Sequence, residues 1–266
     1  MIEKRKYIVQ IIGRSGSGKS FAFDMLRKEQ TEVLQLLAPP ACKLHENFKI
    51  SFMYPYTTRP PRPEEEGKPV EEAGYHFVTK EEFEKLKDNV VECREYDVIN
   101  AEGKPDKWQY ATIIDDPNAE CGTERENDFE ICFYVNSLDG YQKSIQPIEL
   151  MTNYKTFGIY LNTPPEVLLY RSVERELKKP KDKQNMQEVL RRFYSEQYDD
   201  RNYQETNASQ FDKNTSISIT GDITYINTSQ IPHRFNHIYP DDPKMYVSWI
   251  CIAVRDRLLK NHPTFF

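Results

Sequence analysis

Apolar residues fall into short blocks along the chain, and their spacing switches between the period of a strand and that of a helix. Tyr7-Ile8-Val9-Gln10-Ile11-Ile12 is β-branched and broken only by Gln10, so it predicts a strand buried on both faces. Phe21 to Arg27 predicts a helix, and Phe48 to Tyr54 a second strand. Lys80 to Asp88 predicts a short helix with Phe83 and Leu86 inward, and Val90 to Tyr96 alternates as a strand does. Ile131 to Val135 and Thr156 to Leu161 predict core strands. Pro164 to Leu177, with proline near its start, predicts a helix. The basic segment Lys178 to Lys183 follows it, then a helix from Gln187 to Tyr198. In the last helix, about Met245 to Lys260, residues Val247, Ile250, Cys251, Val254 and Leu258 share one face, which predicts docking on the core. Three stretches lack periodicity. Glu64, Glu65 and Glu66 open an acidic loop over 64–73 and read as a solvated surface. Residues 97–107 read as a turn-rich excursion, and 202–222, rich in Asn, Ser and Thr, as a polar surface insertion. Strands alternating with helices predict an α/β fold, with a mainly parallel sheet covered by helices on both faces.

Composition narrows the classes. The 266 residues suffice for one large α/β domain carrying inserted subdomains, and 38% hydrophobic against 29% charged content suits a soluble enzyme rich in loops. A net charge of −6 argues against general nucleic-acid binding, so phosphates must be met by local positive charge. No apolar stretch is long enough to span a membrane, and Met1 to Lys6 has no apolar signal core. Cys42, Cys93, Cys121, Cys132 and Cys251 lack metal-ligand spacing and read as reduced thiols of a cytoplasmic protein, with no zinc site.

Between the first strand and first helix stands Gly13-Arg14-Ser15-Gly16-Ser17-Gly18-Lys19-Ser20, a complete G-x-x-x-x-G-K-S phosphate loop in the strand–loop–helix setting it requires. Its glycines let successive N–H groups turn toward phosphate oxygens, and the helix start adds positive dipole. Lys19 reaches the outer phosphates and Ser20 can ligate Mg2+. ATP and Mg2+ are the expected cofactors.

A second signal is Tyr56-Thr57-Thr58-Arg59-Pro60-Pro61-Arg62, followed by Gly74-Tyr75-His76-Phe77. Arg59 and Arg62 lie three apart on a proline-stiffened turn, and guanidinium forks suit bidentate phosphate contacts. With these motifs the chain resembles the guanylate kinase family from about Lys6 to about Phe193. The resemblance implies transfer of the ATP γ-phosphoryl group to GMP or dGMP. It matches Arg59, Arg62, Tyr75 and Tyr110 to the acceptor-phosphate ligands, and Glu92 and Thr112 to the residues that read guanine. It matches Arg171, Arg175 and Arg192 to arginines of a mobile lid that act with Lys19 on the transferring phosphoryl group. It divides the single domain 1–266 into an acceptor subdomain at 51–112, a lid at 171–203, and a polar insertion with the docking helix at 204–266. Two positions depart from the family. Pro55 stands where a guanine-contacting serine is usual, and Asn136 where an acidic residue is usual, leaving Asp139 as a weaker metal candidate. His76 reads as structural. Two alternatives remain open: a kinase of the same type acting on another or modified nucleotide or a sugar phosphate, and a catalytically inactive kinase-like module that binds proteins. The expected partners are small-molecule nucleotides, with neither nucleic acid nor membrane, in a monomer or homodimer.

Overall fold

A computed structural model describes residues 6–39, 48–62, 65–99, 105–114, 129–152, 154–191, 193–194, 217–220, 223–227 and 244–261. The first apolar run forms β1 (Lys6–Ile12), followed by α1 (Lys19–Lys28), α2 (Gln30–Leu37) and β2 (Phe48–Met53). A small excursion comprises β3 (Tyr56–Thr57), α3 (Val70–Ala73), β4 (His76–Phe77), α4 (Lys80–Lys85) and the hairpin β5 (Val90–Ile99) and β6 (Pro105–Ile113). The chain returns through β7 (Phe129–Val135), α5 (Leu138–Met151), β8 (Tyr154–Asn162), α6 (Pro165–Leu177) and a helix α7 (186–191). It closes with β9 (Ile217–Thr220), β10 (Ile223–Asn227) and α8 (Lys244–Asn261).

The main sheet runs β2-β7-β1-β8-β10-β9, with every neighbouring pair parallel except β9, which is antiparallel to β10. β1 is flanked on both sides, which is why its sequence is apolar almost throughout. Tyr7, Val9 and Ile11 face a core formed with Ala22, Phe23 and Leu26 of α1, Val33 and Leu37 of α2, and the buried side of α8. On the opposite side Ile8 shares a cluster with Ile148 of α5, and Ile12 with Tyr141. The expected α/β sheet with helices on both faces is therefore present, and Val247, Ile250, Cys251, Val254 and Leu258 are all buried as the face of α8 required.

Gln10 is fully buried among these apolar neighbours and is accommodated by hydrogen bonds. It donates to Ser144 Oγ (2.9 Å) and Thr156 Oγ1 (3.0 Å), and accepts from Asn136 Nδ2 (2.9 Å). The second sheet, β4-β3-β6-β5, has its own small core of Tyr56, Phe83, Ala111 and Ile113. It is seated on the main domain through Val91 and Ile114, which cluster with Ile8, Cys132 and Ile148.

Three sequence expectations are corrected. The turn-rich excursion at 97–107 is much shorter, because the hairpin ladder continues through Val98↔Asp106 and Ile99↔Pro105. Part of the polar segment 202–222 is strand: Ile217-Ser218-Ile219-Thr220 alternates with period two and pairs with β10, which extends the main sheet beside β8. Residues 202–216 lie outside the described residues. Cys132, expected as a thiol, is disulfide-bonded, while Cys93 and Cys251 are free. Among the described residues no helix is long and apolar enough to cross a membrane.

Candidate functional site

The loop from Gly13 to Ser20 leaves the C-terminal end of β1 and turns into α1, with Gly18 as its N-cap residue. All three of its glycines have positive φ, Gly18 at +96°. Gly13 has φ +147° and Gly16 φ +81°. A Cβ at Gly13 would lie 2.8 Å from Ser17 Oγ, and one at Gly16 3.1 Å from the Leu168 carbonyl. Lys19 Nζ donates to the carbonyls of Gly13 (2.7 Å) and Arg14 (2.9 Å), so the ammonium lies inside the loop's curl. Gly18 carries no side-chain cap, leaving the helix end free to face an anion. Ser20 is exposed on the first turn.

The acceptor candidates meet on the second sheet. On β5, Glu92 and Arg94 are two residues apart and therefore share a face. Their ladder partners on β6 are Thr112 and Tyr110. Tyr110 meets the ring of Tyr75 edge-on, with centroids 5.9 Å apart, and the Arg59 guanidinium lies 5.5 Å from the Tyr75 ring centroid. Thus Arg59, Tyr75, Tyr110, Thr112 and Glu92 form one continuous cluster in which Arg59, Glu92 and Thr112 are buried, with Arg62 on the rim and 56% exposed. His76 stacks on Tyr56 at 4.4 Å, and burial holds its pKa below the ordinary value, as befits a structural ring.

Glu65 was expected on a solvated acidic surface. Instead it is almost buried and grips Arg59 with both oxygens, at 2.8 and 3.0 Å, while accepting the Arg62 backbone N–H at 2.7 Å. Burial works against charge on both partners, but their mutual bonds outweigh it: the Arg59 pKa is raised and the Glu65 pKa lowered. The three-residue step from Arg62 to Glu65 was the available signal.

Glu92 is also buried. Burial raises its pKa, opposed by the Arg94 guanidinium, whose Nε stands 2.7 Å from Oε1, and by the Thr112 hydroxyl, which donates to Oε2 at 3.3 Å. Thr112 Oγ1 also hydrogen-bonds the Tyr134 hydroxyl at 2.7 Å. Arg94 bridges to the main sheet, donating to Ser137 Oγ (2.6 Å) and Asn136 Oδ1 (3.1 Å). Asn136 is fully engaged in these bonds and in its bond to Gln10, so it lies within the scaffold. Asp139 pairs with Lys143 at 2.9 Å.

Arg171, on α6, is buried against the loop and donates to the Gly16 carbonyl at 3.1 Å. Arg175, one turn further, is exposed, and no hydrogen bond or ion pair holds it among the described residues. The neighbouring Arg191 is bound to Glu188 at 2.7 and 2.9 Å. Arg192 lies outside the described residues. Phe193 places its ring 5.3 Å from the guanidinium of Arg14, joining the end of this segment to the phosphate loop. Among the described residues no cluster of three or more His, Cys, Asp or Glu side chains could hold a metal ion.

No family model matches the chain, and no curated protein matches it either. Among solved structures, the guanylate kinase from Anaplasma phagocytophilum is similar over 95% of this chain and 86% of that one, at 13% identity and a TM-score of 0.43. A likeness that distant carries no weight for the chemistry, and the α/β architecture stands on its own strand order and helices.

Proposed function

We propose that the chain is an ATP-dependent nucleoside monophosphate kinase that phosphorylates GMP or dGMP. The observation that supports this reading is that the phosphate loop and the second sheet meet at the carboxyl ends of β1 and β7. The phosphate loop leaves β1 after Ile12. Beside it, the Asn136 N–H, just past β7, bonds the Ile11 carbonyl at 3.0 Å, and Asn136 Oδ1 accepts from Arg94 of the acceptor sheet. Open α/β sheets place ligands at the carboxyl ends of their strands, where such crevices form.

In this reading the acceptor's phosphate sits on Arg59, Arg62, Tyr75 and Tyr110, and its base lies toward Glu92 and Thr112. An acceptor phosphate oxygen bonds to the γ-phosphorus of ATP as the bond to the bridging β–γ oxygen breaks, leaving ADP. The acceptor is already anionic, so the protein's work is positioning and charge neutralisation. Lys19 serves the β and γ oxygens, Arg171 holds the loop side, and Arg175 and Arg192 serve the transferring group as the 171–203 segment closes. Mg2+ would be held by Ser20 together with phosphate oxygens and water, and supplies Lewis-acid charge when bound. A coupled assay for ADP across a panel of monophosphates tests the reading. Mg2+-dependent turnover with guanine nucleotides preferred is the expected result, and no acceptor-dependent ADP release overturns it.

Pro55 favours a second version with the same chemistry but another or modified nucleotide, or a sugar phosphate, as acceptor, since proline brings neither hydroxyl nor N–H to the base. The same panel separates the two. The intact Lys19-Ser20 pair weighs against an inactive protein-binding module.

A further inference from the structure

Arg94 is the one arginine of the acceptor sheet that the sequence motifs left without a role. Its guanidinium is 16% exposed and faces Glu92 Oε1 on β5 at 2.7 Å and, just past the end of β7, Ser137 Oγ at 2.6 Å and Asn136 Oδ1 at 3.1 Å. A guanidinium carries five N–H donors; Nε meets Glu92 as an ion pair, and Nη1 and Nη2 each spend one N–H, on Ser137 and Asn136, which leaves one on each. Through Asn136 the fork is tied to Gln10 of β1, and through Ser137 to the N-cap of α5, since the Ser137 hydroxyl accepts the Gly140 N–H at 3.0 Å. Glu92 is thus aimed by a residue anchored in the main sheet.

We infer that Arg94 is a specificity-determining positioning residue. It fixes the Glu92 carboxylate as an acceptor and adds N–H donors beside it, so that the two together match a base edge carrying N–H next to C=O, the edge guanine presents. This supplies a carbonyl-directed donor in a site where Pro55 has none. The inference rests on the proposed kinase reading.

Charge gives the inference a signature that mere support of the fold would lack. The ionisable groups around the pair are Cys93 on β5, Tyr75, Tyr96, Tyr134 on β7, and Asp139 and Lys143 on α5. Burial raises the pKa values of Tyr75, Tyr134 and Cys93, which keeps these groups neutral, and Asp139 and Lys143 are paired with each other. Arg94 is therefore the main positive charge opposing the burial of Glu92. Without it Glu92 takes up its proton at higher pH and accepts hydrogen bonds poorly until pH rises.

The experiment measures kcat and KM for dGMP, dAMP and dTMP between pH 6 and 9 in wild type, Arg94→Met and Arg94→Lys, alongside a 13C-carboxyl NMR titration of Glu92, assigned with Glu92→Gln, in the nucleotide-free chain. In wild type, KM for dGMP is expected to stay flat with pH. In Arg94→Met, KM for dGMP at neutral pH rises by about tenfold or more and recovers toward alkaline pH, while the other nucleotides change little. The Glu92 titration moves up by about one unit or more. Arg94→Lys keeps the charge, so its profile stays flat, but it loses the planar fork and raises KM for dGMP alone. If Arg94→Met does not fold, Arg94→Lys decides: kinetics identical to wild type overturn the inference. An unmoved Glu92 titration, or unchanged base preference in a folded Arg94→Met, also overturns it while leaving the kinase reading intact. A wild-type chain inert toward every monophosphate sinks the kinase reading and this inference with it.

Discussion

In the proposed reading, the phosphate loop and the acceptor surface would recognise the same kind of group by opposite means. The loop is eight consecutive residues whose backbone carries the site, and its side-chain demands reduce to Lys19 and Ser20. The acceptor surface is assembled from a turn, Tyr75 just before β4, and both strands of a hairpin, and its side chains are held by other side chains: Arg59 by Glu65, and Glu92 by Arg94. Backbone sites are rigid because the fold is. Side-chain sites are rigid only when each long, charged group has a fixed counterpart.

The sharpest way to break this contrast is to remove the one charge the loop relies on. Lys19→Ala should lower turnover on the order of 1000-fold in the coupled assay, since the ammonium that lies within the loop's curl is lost. Near-normal turnover would remove Lys19 from the chemistry.

The next effect separates ground state from transition state. Arg175→Ala should cut kcat by roughly 100-fold with the acceptor KM little changed, whereas Arg62→Ala should act mainly on KM. Steady-state kinetics on both variants read the split. A wild-type Arg175→Ala would return the 171–203 segment to an exposed charged helix pair.

Smaller, but diagnostic of the acceptor surface, is Glu65→Gln. Losing the carboxylate frees Arg59 from its fixed pose and should raise the acceptor KM about tenfold, because Arg59 must then be ordered by the ligand. The same pair has a pH signature. Glu65 has a folded pKa below its unfolded value, so the stability it contributes is complete above about pH 4.3 and is lost as pH falls through the lower folded value. Acid unfolding of wild type should show that loss, and Glu65→Gln should show it reduced. The smallest effect concerns support beneath both regions. Gln10→Leu should destabilise by about 1–3 kcal/mol in urea unfolding, because Asn136 Nδ2 loses its buried acceptor.

The sequence was legible where the physics is local. The loop's spacing, the both-faces burial of β1 and the single apolar face of α8 were each readable from consecutive or periodic residues. Strand–helix alternation announced the α/β class. What was missed depends on distant contacts or on weak local signals. Ile217 to Thr220 has too few apolar residues to stand out from a polar tract, and only β10 makes it a strand. Glu65 looked like one of three interchangeable surface glutamates, and its three-residue step from Arg62 was the one local signal that set it apart. Arg94 could have been found: two residues after Glu92 on a strand places both on one face, where opposite charges seek each other.

The position of β1 in the sheet also bears on how the chain acquires its site during synthesis. Lys6 is in register with Glu130 and with Tyr154, so the strand's partners are made long after it. The cover over α1 and α2 is later still, because Tyr246 of α8 packs edge-on against Phe21. A growing chain therefore carries its Gly-Lys-Ser segment through most of translation with no sheet to hold it. Pairings so distant in sequence fold slowly, and the exposed β-branched run is an aggregation hazard in the interval. The hairpin of β5 and β6, whose partners are close in sequence, can close well before the strand that began the chain finds its place.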